Sequence, residues 1–145
     1  MRLAVRAVIV EDGKLLIVNA WPGRHDLWCA PGGGAEDHAS LPDNLAREVH
    51  EETGLTIKTG PPCLVNEFHD PGRFPQAEVF FRASVVSGTL SGDWRDPEGI
   101  VTARRWVARD EAEAMARARA LRPASLPAIA FGRGIGYDPL EPILR

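Results

Sequence analysis

The sequence predicts an α/β fold, and three observations carry that reading. Alternating apolar residues Leu3, Val5, Ala7 and Ile9 run through Asp12-Gly13 into Leu15-Leu16-Ile17-Val18, the pattern of a β-hairpin. Leu41, Leu45 and Val49 recur every four residues, the pattern of an amphipathic helix. Downstream, segments rich in β-branched and aromatic residues precede a second stretch of helix formers, so strands and helices share one chain.

The elements follow in order. Asp12-Gly13 sits where a two-residue hairpin turn needs positive φ at both positions. From Trp21 to Gly34 the chain is rich in Gly, Pro and aromatics without a stable period, so it reads as a loop ending in Gly32-Gly33-Gly34. Ser40 with Asp43 three residues on resembles a capping box, Pro42 sits harmlessly in the first turn, and Gly54 is a C-terminal stop. These bound a helix over 41–53. After Gly60-Pro61-Pro62, strands are expected around Leu64 to Phe68 and Glu78 to Val86, joined by a loop holding Pro71, Gly72 and Pro75. Gly88 to Gly99 reads as a loop, Val101 to Val107 as a strand, and Ala108 to Leu121 as a second helix stopped by Pro123. Ser125 to Arg145 carries Pro and Gly too often for a long element and reads as a helical turn plus coil.

A chain of 145 residues with 44% apolar and 26% charged content has the size of a single domain spanning 1–145. Seventeen basic against twenty acidic residues leave a net charge of -3, no field for holding a nucleic acid polymer, so a phosphate ligand must be drawn by local groups or metal. Cys29 and Cys63 read as reduced thiols, since nothing marks a small secreted scaffold. Arg6 interrupts the N-terminal apolar run, which lacks a signal-peptide cleavage site, and no segment approaches the roughly 20 apolar residues of a membrane span. A soluble cytoplasmic protein, monomer or homodimer, is expected.

The chemistry concentrates in Arg47-Glu48-Val49-His50-Glu51-Glu52-Thr53-Gly54-Leu55. At helical spacing Glu48, Glu51 and Glu52 fall on one face. Like charges so placed repel by about 0.2–0.5 kcal/mol per pair, so a helix gains nothing locally from the cluster. A hard divalent cation, Mg²⁺ or Mn²⁺, supplies a reason, because it prefers carboxylate and carbonyl oxygens. The bland alternative is a solvated acidic face on a structural α/β domain.

These residues resemble the box of the Nudix hydrolases, the MutT-like pyrophosphohydrolases, whose pattern is Gly-x5-Glu-x7-Arg-Glu-U-x-Glu-Glu-x-Gly-U with U a bulky aliphatic. Gly33 fills the first position, and Arg47, Glu48, Val49, Glu51, Glu52, Gly54 and Leu55 the last seven, so the box spans 33–55. Six of the seven fixed residue types match, a coincidence of order 10⁻⁷ to 10⁻⁶ per start position at average composition. The departure is Ala39, where the pattern has its early glutamate; Glu36 and Asp37 lie nearby but out of register.

The resemblance implies an α/β/α sandwich with a mixed β-sheet, and Mg²⁺- or Mn²⁺-dependent hydrolysis of the phosphoanhydride of a nucleoside diphosphate linked to another group. Nucleotide sugars such as ADP-ribose, nucleoside triphosphates and dinucleoside polyphosphates are the candidate substrates. It also implies roles: Glu51 and Glu52 as main metal ligands, Glu48 as a further ligand or base, Arg47 as a charge partner orienting a glutamate, and the carbonyl of Gly32 or Gly33 as an oxygen ligand. Glu98 resembles a loop position from which some members offer an extra carboxylate. A non-catalytic Nudix-fold module that binds or senses a nucleotide is the competing function. His38, His50 and His69 show no zinc spacing and read as polar surface. Trp21, Trp28, Phe68, Phe74 and Trp94 include candidates for stacking on a base, although most aromatics in a small domain are core. Pro71, sixteen residues past Leu55, stands where proline is associated with ADP-ribose pyrophosphatases.

Overall fold

The computed structural model describes residues 1–19, 26–69, 72 and 74–142. The N-terminal alternation forms β1 (Arg2–Glu11) and β2 (Lys14–Val18), antiparallel, with Asp12 and Gly13 at φ 51° and 74° in the turn. Short strands β3 (Trp28–Cys29) and β4 (Gly32–Gly34) follow, where the sequence reads as loop. Helix α1 (Leu41–Thr53) matches its expected bounds: Ser40 Oγ accepts from the Asp43 N–H at 3.1 Å, and the Gly54 N–H closes the last turn on His50 O.

Next come β5 (Thr56–His69), β6 (Gln76–Ser87), β7 (Arg104–Ala108), α2 (Arg109–Arg117), β8 (Leu121–Arg122), α3 (Leu126–Ala130) and β9 (Gly136–Pro142). The sheet runs β8-β3-β2-β1-β6-β5-β9, with β4 on β1 and β7 on β2. It is mixed: β1 with β6, β5 with β9 and β3 with β8 are parallel, and the other pairs antiparallel.

Both faces of β1 are covered, as its nearly continuous apolar sequence requires. Val5, Ala7 and Ile9 pack with Leu16 against Leu45 and Val49 of α1. Val8, Leu15 and Ile17 pack with Leu64 and Phe80 against Ala112 of α2 and Leu126 and Ala130 of α3. The result is the α/β/α sandwich.

Further sequence expectations change. Strand β7 starts at Arg104, three residues after the expected Val101. Gly60-Pro61-Pro62 does not begin β5 but lies within it, at register shifts around Pro62, since a bulge relieves proline of its ladder hydrogen bond. Helix α2 stops at Arg117, short of Leu121. Leu121 is buried and pairs with Trp28, while Arg122, which precedes Pro123, is pushed from helical to extended backbone. The tail holds the expected helical turn, α3, but then an added strand rather than coil: β9 lies on the sheet's edge, where its prolines leave no partner strand unpaired. Neither Cys29 nor Cys63 is in a disulfide.

Candidate functional site

A cavity of about 440 Å³ opens where β4 passes the inner face of α1. Its wall carries Glu48 and Glu52 from the helix, Gly32 to Gly34 from β4, and Asp96 and Glu98 from the loop before β7. Glu51, one residue before Glu52, is outside this lining; it meets Arg47 on the helix surface at 3.5 Å.

Glu52 is only 6% exposed. Its Oε1 accepts the Gly32 N–H at 2.9 Å. Burial pushes its carboxyl up to about 8, against the pull of Arg6 and the Gly32 N–H, and Glu48 and Asp96 add to the rise. Glu48 is also raised by burial; the Arg47 guanidinium draws it back, while Glu51 and Glu98 push it further up. Arg47 reaches Glu48 Oε1 at 3.1 Å and Glu36 at 3.8 Å, and donates to Asn44 Oδ1 at 3.0 Å, so one guanidinium spans the start of the box and its glutamates.

Close packing explains the glycines. A Cβ on Gly33 would lie 2.6 Å from Glu48 Oε2, so only a bare backbone lets the loop approach the carboxylate this far. Gly32 has φ 154°, and a Cβ there would stand 1.9 Å from Val5 O in β1.

The C-terminal end of α1 is held by side chains from afar. Arg104 donates from Nε to Glu52 O and from its terminal nitrogens to Trp94 O at 3.5 Å and Val101 O at 3.4 Å, a cation on the carbonyl end of the helix. Asp96 anchors the same loop by accepting N–H bonds from Glu98, Ile100 and Val101. Glu98 itself is exposed on the cavity rim.

Trp94 packs over Gly54, donates Nε1–H to Glu51 O at 2.8 Å and meets the His50 ring edge-on at 5.3 Å. It covers the helix end and does not line the cavity. Trp28 lies under the Arg105 guanidinium at 5.4 Å, Phe74 is 86% exposed, and Phe68 is the one of the four described aromatic candidates that lines the cavity. Trp21 and Pro71 lie outside the described residues. His69 meets Glu67 at 3.6 Å, away from the lining.

Residues the sequence left unassigned form the floor. Arg6 Nε donates to Glu78 Oε2 at 2.7 Å, and its Nη1 to Ala30 O and Gly32 O, each at 3.3 Å. Burial works against the charge of Arg6, but Glu78, Cys29 and Glu52 outweigh it and hold the guanidinium charged. Asn66 Nδ2 donates to Glu78 Oε1 at 3.1 Å and Gln76 Nε2 to Oε2 at 3.2 Å. A continuous chain of bonds thus runs from Glu52 through Gly32, Arg6 and Glu78 to Asn66. The available signal was Arg6 itself, a charge inside an otherwise core-like strand, which is retained only where a partner answers it.

Among the described residues no three His, Cys, Asp or Glu side chains already converge as a metal cluster. The donors that do face one another nevertheless suit a hard cation: they are all oxygens, and Glu52 is a carboxyl whose burial outweighs the pull of Arg6 and the Gly32 N–H on its ionised form.

A sequence model of the NUDIX domain matches residues 1–128. Diphosphoinositol polyphosphate phosphohydrolase 2 of Rattus norvegicus is 33% identical over 103 residues, covering 70% of this chain and 53% of that protein. ADP-ribose pyrophosphatase of Methanocaldococcus jannaschii is 31% identical over 99 residues, 63% of this chain and 56% of that protein. The chain therefore spans about half the length of the curated relatives it matches. Among solved structures, the MutT protein from Bacillus halodurans superposes with TM-score 0.72 at 22% identity over 94% of this chain and 87% of that one, a likeness of fold. A NUDIX hydrolase from Nitrosomonas europaea gives TM-score 0.71 at 26% identity over 88% and 82%.

Proposed function

The chain belongs to the NUDIX domain family, and on that premise we propose that it is a pyrophosphohydrolase that cleaves the phosphoanhydride of a nucleoside diphosphate linked to another group, using Mg²⁺ or Mn²⁺. The observation that carries the reading is the facing of Glu48 and the buried Glu52 onto the bare backbone of Gly32 and Gly33 in one cavity.

Glu48 and Glu52, with the carbonyl of Gly32 or Gly33, are the residues that would hold the cation; Glu51 would join them only by leaving Arg47 outside the lining, and Glu98 on the rim is a further candidate. When bound, such a cation neutralises phosphoryl charge and lowers the pKa of water. The chain's own groups do the rest. Gly32 fixes one oxygen of Glu52, and Arg47 holds Glu48 and Glu51 in place. Glu48, whose carboxyl burial has already made more basic, is the group to take a proton from the attacking water. Arg2 and Arg122 on the cavity wall offer positive charge to a diphosphate.

The family's curated relatives act, by name, on ADP-ribose and on diphosphoinositol polyphosphates. A nucleotide sugar such as ADP-ribose is the substrate proposed first: the cavity volume lies in the range of small-molecule sites, and its polar floor beyond the glutamates is suited to a group other than phosphate. A panel of ADP-ribose, nucleoside triphosphates, dinucleoside polyphosphates and a diphosphoinositol polyphosphate, assayed with Mg²⁺ and after exhaustive chelation, tests this. Hydrolysis that stops on chelation and returns with the cation is expected; equal hydrolysis without cation overturns the metal role.

A second reading, a nucleotide-binding module without turnover, draws on Ala39, which leaves the early box position without a carboxylate. Nucleotide binding by calorimetry with no product from any member of the panel would select it.

A further inference from the structure

Asn44 is 1% exposed and sits on α1 one turn before Glu48. A side-chain amide so buried needs a partner on each polar atom, and its partners place it between the loop after β4 and the glutamates. Nδ2 shares its two N–H groups among the carbonyls of Glu36, Ala39 and Ser40, at 3.2, 3.3 and 3.0 Å. Oδ1 accepts the Glu36 N–H at 2.9 Å and an N–H of Arg47 Nη2 at 3.0 Å. Turning the amide over would set its NH₂ against two donors and its oxygen against three carbonyls.

Arg47 is thereby held at both tips of its fork. Nη2 is fixed on Asn44, while Nη1 donates to Glu48 Oε1 at 3.1 Å and lies 3.5 Å from Glu51 Oε1. A guanidinium is a rigid plane, so pinning one nitrogen sets where the other points. With Oε1 on Arg47, the other carboxylate oxygen of Glu48 stays against Gly33 in the cavity. Ala39, at the early box position, has no side-chain acceptor for Arg47; its carbonyl serves Asn44 instead. The carboxylate of Glu36 is 3.8 Å from Arg47 and exposed, a weaker hold than the buried amide.

Resting on the pyrophosphohydrolase reading for the site as a whole, we propose that Asn44 is a positioning residue for Glu48, acting through Arg47, and that it supplies from within the helix the acceptor that Ala39 does not supply from the loop. The same amide locks the loop and aims the arginine, so the start of the box and its glutamates are set as one unit. Asn44 touches neither cation nor substrate. Its effect on either passes through the Arg47 fork, and that route separates it from a residue that only holds the loop together.

The test reads cation binding without substrate, by calorimetry with Mn²⁺ alone, beside hydrolysis of the best substrate of the panel. Asn44→Ala is expected to weaken Mn²⁺ binding about fivefold and to lower kcat at least about tenfold, with KM within about threefold. Arg47→Ala does at least as much. In the Arg47→Ala background, Asn44→Ala then changes Mn²⁺ affinity and kcat by less than about twofold while still lowering Tm, because only its bonds to the loop remain to be lost. Losses that multiply across the two sites overturn the proposal. Arg47→Lys covers the case in which Asn44→Ala does not fold: it keeps the charge and every bond of Asn44 to the loop, but one ammonium does not hold Asn44 and Glu48 in a fixed plane. Mn²⁺ affinity lowered about fivefold in Arg47→Lys supports the proposal, and unchanged affinity overturns it. The Mn²⁺ measurements need no turnover, so a protein that hydrolyses nothing on the panel loses the enzyme reading while they still decide this one.

Discussion

Gly32 donates its main-chain N–H to Glu52 Oε1 at 2.9 Å, tying the loop that opens the box to a glutamate that closes it. The bond does not overcome burial, which leaves the Glu52 carboxyl raised to about 8 from 4.5. Between those values the folded protein keeps a proton that the unfolded chain has lost. Stability without cation then falls as pH rises, with a slope of about 1.4 kcal/mol per pH unit from this group, and levels off above pH 8. Chemical denaturation of the chelated protein from pH 5 to 9, compared with Glu52→Gln, isolates it: the wild type loses stability relative to the variant over that window. Parallel profiles would refute the assignment.

Glu52→Gln separates stability from function. The amide oxygen can still accept from Gly32, while the buried charge disappears, so the cation-free Tm at pH 8 is expected to equal or exceed that of the wild type. The added stabilisation by Mg²⁺ shrinks, and turnover falls by at least about a hundredfold. Melts with and without Mg²⁺, paired with product assays, check all three.

Two adjacent glycines should behave differently. Gly32→Ala drives a Cβ into the β1 backbone, so β4 cannot stay paired, and a loss of about 4 kcal/mol or more is expected. Gly33→Ala meets only the end of the Glu48 side chain, which can swing aside. Its expected cost is about 1 kcal/mol in stability, with at least a tenfold loss in kcat because Glu48 is displaced. Denaturation and steady-state kinetics on the pair give the comparison.

Trp94 is a test of what aromatics do here. Its indole covers Gly54 and bonds Glu51 O, so Trp94→Ala should cost about 2 kcal/mol of stability. KM for the best substrate should stay within about threefold. A tenfold rise in KM at unchanged stability would instead make it a stacking platform.

Legibility in the sequence followed the range of the forces involved. Helix α1 was readable to its ends because Ser40, Pro42 and Gly54 act within one turn, and the hairpin because Asp12-Gly13 acts within two residues. The facing of Glu48 and Glu52 followed from helical spacing. Glu51 shares that spacing yet leaves the cavity for Arg47, because which part of a helix face meets the loop is decided by packing. Strand β9 was invisible because its pairing comes from β5, some seventy residues away, and its prolines mimic coil. Arg6, Glu78 and Asn66 carry no motif; three strands bring them together.

The ion pair between Arg6 and Glu78 also bears on how the chain finds its pairing as it is made. Strand β1 joins β6 in parallel from Arg2↔Gln76 to Ile9↔Ala83, a separation of 74 residues. At about 5–20 residues per second of synthesis, β1 waits roughly 4–15 s with one flank open. A slip of one residue would exchange the two buried faces of β1, and a flat apolar edge invites foreign strands. Arg6 makes that edge a poor partner for anything lacking a carboxylate at the matching height. Glu78 supplies it in the native register, so the charge kept in this strand weighs against a slipped pairing as well as against a foreign partner.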